Sequence, residues 1–392
     1  MSARKPSGSM KNTPRLRFRR NGGTPFPDWE EKKLGEILDY EQPSKYIVKS
    51  TQYDDKYPTP VLTPGKTFVL GRTDEQDGIF SKGLPVIIFD DFTTAIQFVD
   101  FDFKVKSSAI KILRKKDLSY SIRLIYELMK RVEFIVSKQK KRHWISESQY
   151  EIITLPHPDE QKKIADFLAA VDRRIDSLKD KRAGLQTYKR GMMQQFFSRN
   201  IRFRRKNGQP FPDWEEKKLG EVVKKITETS IYAEKNKPLP LIELENIESG
   251  TGKILHISNA HNKKSLKWSF KSGDVLFGKL RPYLKKFANP NFDGICSSEI
   301  WIFRGISVLN CFLFYIVQTE EFLKTADQSS GSKMPRADWS IVGQKHFDIP
   351  HPDEQKKIAD FLTAIDHRID LIDKQISQTQ AYKKGLMQQM FA

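Results

Sequence analysis

A chain of 392 residues with 38% hydrophobic and 11% aromatic content can bury a core in each of two or three domains and is not composed like a disordered segment. Its formal charge of +19 calls for a polyanionic partner, nucleic acid before an anionic membrane, because no amphipathic Lys/Trp helix is evident. The longest apolar runs, such as CFLFYIV at 311–317, are too short to span a bilayer, and the N-terminus lacks the apolar core of a secretory signal.

Only Cys296 and Cys311 are present, which fits two buried thiols in a reducing cytoplasm better than a disulfide framework. Residues 1–20 carry seven Lys/Arg and no acid, so residues 1–16 read as a basic, disordered tail; removing those seven charges still leaves +12. Residues 17–38, RFRRNGGTPFPDWEEKKLGEIL, then return at 202–223 as RFRRKNGQPFPDWEEKKLGEVV, 185 residues on. Asn-Gly and Pro-Phe-Pro mark a turn, and EEKKLGE reads as a short docking segment.

The insert that follows, roughly 39–155, opens with β-branched and aromatic runs broken by Gly, Pro and Asp, which predict several strands. Apolar residues at helical spacing then predict a helix over 117–138. At 156–168 the sequence PHPDEQKKIADFL begins a long amphipathic segment that closes on YKRGMMQQFF. The same thirteen residues recur at 350–362, 194 residues later, and close on YKKGLMQQMF. Pro158 followed by Asp159 and Glu160 is a sound helix start. Ile164, Leu168, Val171, Ile175 and Leu178, and in the second copy Ile358, Leu362, Ile365, Ile369, Ile372 and Ile376, recur at steps of four and three. That is a coiled-coil seam, for an antiparallel pair about 35–55 Å long; Arg182 interrupts it, and Gly184 weakens the first helix. The alternative is a helix lying on a globular domain.

The second insert, 224–349, aligns poorly with the first. It has strand-like PLIELENI, ISNAH, VLFGKL and WIFRG, then a helix over CFLFYIVQTEEFLKTA. The predicted fold is α+β: two mixed α/β domains related by internal duplication, 17–155 and 199–349, separated by long helical segments at 156–198 and 350–392.

Enzymatic patterns are weak. GDVLFGKL at 273–280 has phosphate-loop spacing but ends in Leu280 where a Ser/Thr should bind magnesium. PDWEEK and PDEQK resemble nuclease carboxylate–lysine sites, yet their acids sit at helix starts, where they have a structural reason to be. His256 and His261 lack a third metal ligand in spacing. The reading is a binder with no catalytic, cofactor-binding or metal residues of its own.

A DNA reader needs Lys/Arg for phosphates and polar side chains for base edges, carried on turns. In the first insert the candidates are Lys66, Thr67, Arg72, Gln76, Lys82, Thr93, Thr94, Lys104, Lys106 and Ser107. In the second they are Lys279, Arg281, Tyr283, Lys285, Lys286, Ser297, Ser298, Ser332, Lys333 and Arg336. For any single lysine a solvated surface role is an equal alternative; GKLRPYLKK, a rigid basic loop, stands out, and QSSGSKMPR at 328–336 comes next.

From about residue 17 the chain resembles the specificity subunit of type I restriction–modification systems. The resemblance rests on the two PHPDEQKKIADFL helices, the PFPDWEEKKLGE openings, and FKSGDVLFGKLRPYL, FDGICSSEIWIF, GSKMPRADW and WISESQYEIITLP. It implies two target-recognition domains, each reading half of a bipartite, asymmetric double-stranded DNA site, with the helices setting the spacer. It also implies that the helices dock two methyltransferase subunits, which recruit motor-nuclease subunits. S-adenosylmethionine, ATP and magnesium would then belong to those partners and none to this chain. The apolar residues beyond the seam, Phe167, Met192, Phe196, Phe197, Phe361, Met387, Met390 and Phe391, offer a partner-docking face. The rival readings are a stand-alone DNA-binding regulator and a nuclease or NTPase in its own right.

Overall fold

The computed structural model describes residues 14–63, 67–134, 143–229, 239–259, 267–328 and 334–391. The basic tail before residue 14, Lys66, His261, Ser332 and Lys333 lie outside the described residues. The chain forms two compact units, residues 1–178 with 375–392 and residues 179–374.

In the first unit β1 (Glu30–Lys33) leads through a one-turn helix α1 (Leu34–Ile37) into β2 (Leu38–Glu41). Strands β3 (Thr59–Leu62), β4 (Val69–Thr73), β5 (Val86–Asp90), β6 (Ile96–Val99), β7 (Lys104–Val105) and β8 (Ile110–Lys115) follow. Helices α2 (Ile122–Met129) and α3 (His143–Ser146) and strand β9 (Ile152–Leu155) lead to the long helix α4 (Pro158–Phe197). One sheet has the order β2-β8-β5-β6 and another β4-β3-β7, while β1 pairs with β9.

The second unit repeats this plan. It contains β10 (Glu215–Lys218), α5 (Leu219–Val222), β11 (Val223–Ile226), β12 (Pro240–Ile242), β13 (Ser258–Asn259), β14 (Lys267–Phe270), β15 (Val275–Gly278), β16 (Phe287–Ala288), β17 (Gly294–Ser297) and β18 (Ile300–Gly305). Then come α6 (Asn310–Ile316), α7 (Glu320–Ala326), α8 (Trp339–Val342), β19 (His346–Ile349) and the second long helix α9 (Pro352–Met390). The sheets are β11-β18-β15-β16 and β13-β12-β17-β14, with β10 paired to β19.

The uninterrupted apolar runs of the central strands follow from layering. Along β5, Ile87 and Phe89 enter the core shared with α2 and Trp144, whereas Val86 and Ile88 enter the core shared with Leu62, Phe80 and Val105. In β15, Val275 and Phe277 face one core and Leu276 the other. Both faces of each central sheet are covered, so the side-chain period of two yields apolar residues throughout.

Three local expectations change. The helix over 117–138 is α2 alone among the described residues, because Ser121 caps it by accepting the Leu124 amide at 3.3 Å. The run at 311–326 is two helices, because the Thr319 hydroxyl accepts the Phe322 amide at 3.3 Å and starts a second one with Glu320 and Glu321 in its first turn. Cys311 is exposed; Cys296 is buried, and burial pushes its thiol up to about 12.

The long helices exceed the expected length: α4 has 40 residues and α9 has 39, about 60 Å each. Gly184 does not break α4. Ion pairs fix an antiparallel register inside each unit. In the second unit Arg182 meets Asp373 at 2.6 Å and Lys189 meets Asp366 at 2.7 Å, a step of seven forward matched by seven backward. In the first unit Lys383 meets Asp172 at 2.6 Å, the same pair displaced by the 194-residue repeat. Arg182, which interrupts the seam, is thus paired with an acid. Of the seam residues, Val171 and Ile376 are half-buried and the other nine are buried.

Of the eight apolar residues expected to form a docking face, Phe196, Met390 and Phe391 are buried in the two cores and the other five are half-buried against them. Phe167, Met387, Met390 and Phe391 pack with Leu34, Leu113 and Trp144 in the first unit. Met192, Phe196, Phe197 and Phe361 pack with Trp214, Phe312 and Ile358 in the second. The physical reason is that the end of each helix shares a core with residues of the other helix's first three turns, Ile164 and Leu168 or Ile358 and Leu362.

The repeated motif itself is a clasp. Glu160, fully buried, accepts from Arg17 at 3.2 and 2.7 Å, and Glu354, fully buried, accepts from Arg202 at 3.2 and 2.9 Å. These hydrogen bonds are the first cause of each guanidinium's raised pKa. Gln161 donates to the Pro156 carbonyl at 2.9 Å and accepts the Ser121 amide at 3.0 Å; Gln355 does the same with Pro350 and Leu309 at 2.8 and 2.7 Å. His157 stacks on Phe26 and His351 on Phe211. His and Glu thus secure the segment that opens their own repeat, and Gln holds the residue that precedes α2 or α6.

Candidate nucleic-acid interface

In the second unit three stretches meet at the end of β15. The Lys279 amide donates to the Glu299 carbonyl at 2.9 Å, and the Lys279 carbonyl accepts the Ala337 amide at 2.8 Å. Leu280 bridges Arg336, and the Arg281 amide donates to the Pro335 carbonyl at 2.8 Å. Arg281 and Lys285 bracket a single turn at Pro282–Leu284, both left-handed, with φ of 52° and 50°. That region costs a non-glycine residue about 1–3 kcal/mol and is found where a binding site holds it. The turn stands out with Arg281, Tyr283 and Lys285 exposed, and Met334 is exposed beside it. Lys279, Ser297 and Ser298 are half-buried around its base. Arg336 donates to the Glu299 carboxylate at 3.1 and 3.4 Å.

The first unit builds the same junction from unlike residues. The Asp91 amide donates to the Ala109 carbonyl at 2.9 Å, and the Asp91 carbonyl accepts the His143 amide at 3.1 Å. Asp91 therefore stands where Lys279 stands, Ala109 where Glu299 stands, and His143 where Ala337 stands. The Asp91 side chain turns inward, accepting the Trp144 amide at 2.9 Å and pairing with the fully buried Lys111 at 3.2 Å. The β5–β6 turn projects Phe92 and Thr93, both exposed, and Thr94, whose φ is 60°. Thr93 is tied to Asp90. Lys106, half-buried over the Tyr53 ring, and Ser107, which accepts the Ala109 amide at 3.1 Å, flank this turn.

Several basic candidates make their bonds inside the fold. Lys104 is buried, pairing with Glu75 at 3.0 Å. Lys286 donates to the Leu244 and Ile247 carbonyls at 2.7 and 2.9 Å, and Arg72 to the Tyr57 and Pro58 carbonyls. A long cationic side chain bonds any carbonyl it reaches, and desolvation makes that bond obligatory. Thr67, Gln76 and Lys82 are exposed but lie on other loops. Glu299, Phe92 and Met334 were missed: a search for cations and polar readers passes over an acid and two apolar residues, and only the backbone pairing brings them to the junction.

The enzyme-like patterns resolve into structure. GDVLFGK runs through the buried strand β15, Glu160 and Glu354 serve the clasps, and His256 sits 2.6 Å from Asn246. Among the described residues no His/Cys/Asp/Glu group could hold a metal ion, and no helix is long and apolar enough to cross a membrane.

A family model described as the type I restriction modification DNA specificity domain matches residues 27–187 and again 212–380. The EcoR124I/EcoR124II specificity subunit of Escherichia coli is 46% identical over 147 residues, 36% of either chain. The MjaVIII specificity subunit of Methanocaldococcus jannaschii is 25% identical over 395 residues, covering 92% of this chain and 91% of that one. The crystal structure of a type I restriction–modification S subunit from M. genitalium shares the fold, with a TM-score of 0.63 at 14% identity over 97% of this chain and 99% of that one. With both halves of the chain matched by one domain model, and both built on one plan, the protein belongs to the type I restriction–modification DNA specificity subunit family.

Proposed function

We propose that each unit reads one half of a bipartite, asymmetric double-stranded DNA site, and that this chain directs adenine methylation and cleavage performed by partner subunits. One observation carries the reading: the same backbone junction recurs in both units, and it exposes Arg281, Tyr283 and Lys285 on one and Phe92 and Thr93 on the other. One scaffold with two different sets of projecting side chains suits two readers of unlike half-sites. The net charge of +19 supplies the sequence-independent attraction to phosphate.

In this reading the chain is non-catalytic and works in the cytoplasm with two methyltransferase subunits, through which motor-nuclease subunits join. S-adenosylmethionine, ATP and magnesium serve those partners. Two copies of one methyltransferase need the same surface twice. The outer helix faces supply it: Tyr188 and Tyr382, repeat-related, stand 50% and 58% exposed.

The purified chain should bind DNA weakly and neither hydrolyse ATP nor cut DNA when magnesium is added. Co-purified with its methyltransferase it should methylate a split site. ATP hydrolysis or cleavage by the chain alone would overturn the proposal, as would tight, site-specific binding that needs no partner.

A further inference from the structure

Glu299 is an acid at the centre of a basic junction. Lys279 bonds its carbonyl and Arg336 its carboxylate, with Arg281 two residues beyond Lys279, and the carboxylate weakens the phosphate attraction of the guanidinium it holds. A surface built only to hold phosphate would gain by losing it. What the carboxylate does is fix a guanidinium: it takes Arg336 by Nε at 3.1 Å and by Nη2 at 3.4 Å. The amide of Glu299 donates to the Ser297 hydroxyl at 3.3 Å, and its carbonyl holds Lys279, so the acid is itself held.

Arginine has five N–H donors in a planar fork. With the Nε side of the fork taken by Glu299, the Nη1–Nη2 end remains for a ligand, and the Arg336 side chain is 49% exposed. A guanidinium presenting two parallel donors on a rigid stem matches the O6/N7 pair of guanine in the major groove, the commonest specific contact of this residue. Pre-orientation lowers the entropic cost of the contact and penalises bases that cannot accept both hydrogen bonds.

We infer that Arg336 reads a guanine in the half-site of the second unit, and that Glu299 is its positioning residue. The inference rests on the proposed half-site reading and adds to it the residue and the base. The first unit has Ala109 at the position of Glu299, so the device belongs to one half-site only.

The test uses the complex of the full chain with its methyltransferase and duplexes in which each base pair of both half-sites is replaced in turn. Arg336→Ala should lower kcat/KM on the cognate duplex by about 5- to 150-fold and abolish discrimination at one G·C pair. Glu299→Ala should relax discrimination at that same pair while affinity for unrelated DNA holds or rises, and Glu299→Asp should restore part of it. Thermal unfolding of each variant separates these effects from loss of the fold. Three results would overturn the inference: uniform weakening on every duplex with a salt slope reduced by about one, which marks a phosphate contact; relaxation by the two variants at different base pairs; or full retention of discrimination by Arg336→Ala. If the wild-type complex methylates no split site, the half-site reading fails instead.

Discussion

Phe196→Ala is expected to destabilise the second unit by about 3–5 kcal/mol, roughly 6–20 °C in its unfolding temperature. Phe196 is 1% exposed, stacks on Phe203 with ring centroids 5.3 Å apart and meets Phe361 edge-on at 5.4 Å. Alanine removes most of a ring from a core that also holds Trp214, Phe312 and Ile358, and close packing limits how far the neighbours can collapse. By its sequence pattern alone Phe196 could equally face a docking partner, and the two roles differ in what alanine does. Calorimetry of the variant should show the loss with no partner present. An unchanged unfolding temperature together with lost methyltransferase binding would return Phe196 to the surface role.

Glu354→Ala should cost about 3 kcal/mol, near the lower end for breaking a buried ion pair, because the Arg202 side chain keeps 25% exposure. The carboxylate also accepts the Trp214 indole N–H at 3.1 Å, so alanine orphans a buried donor as well as a cation. The equivalent change Glu160→Ala should cost less. There the Arg17 pairing is the same, but the Trp29 indole nitrogen does not bond the carboxylate and among the described residues has no partner. Equal losses, measured by denaturant unfolding, would show that the indole hydrogen bond contributes nothing.

The frame was legible because it is written twice. Thirteen identical residues with Pro, Asp and Glu at their start and apolar residues at steps of four and three leave little choice but a long helix, and the two copies share one length. What those residues touch was not legible. An apolar residue off the seam faces either a partner or the chain's own domain, and periodicity cannot say which; Met390 and Phe391 turn out to be core because the last turn of α9 covers the first turns of α4. The likeness of the two inserts was hidden for a different reason. Asp91 and Lys279, or Ala109 and Glu299, share no chemistry, and only the amide and carbonyl bonds they make reveal the common position. For the same reason Lys104 and Lys286 looked like DNA contacts: a lysine's length lets it satisfy a buried carbonyl or carboxylate as well as a phosphate.

If two independent readers sit on one repeated frame, mapping methylated adenines genome-wide in cells carrying either the wild-type chain or Arg281→Ala should separate them. The wild type should give a split site with unlike halves. In the variant, the half read by the second unit should be relaxed or lost while recognition of the other half is unchanged. Equal loss at both halves, or an undivided site, would contradict two independent readers.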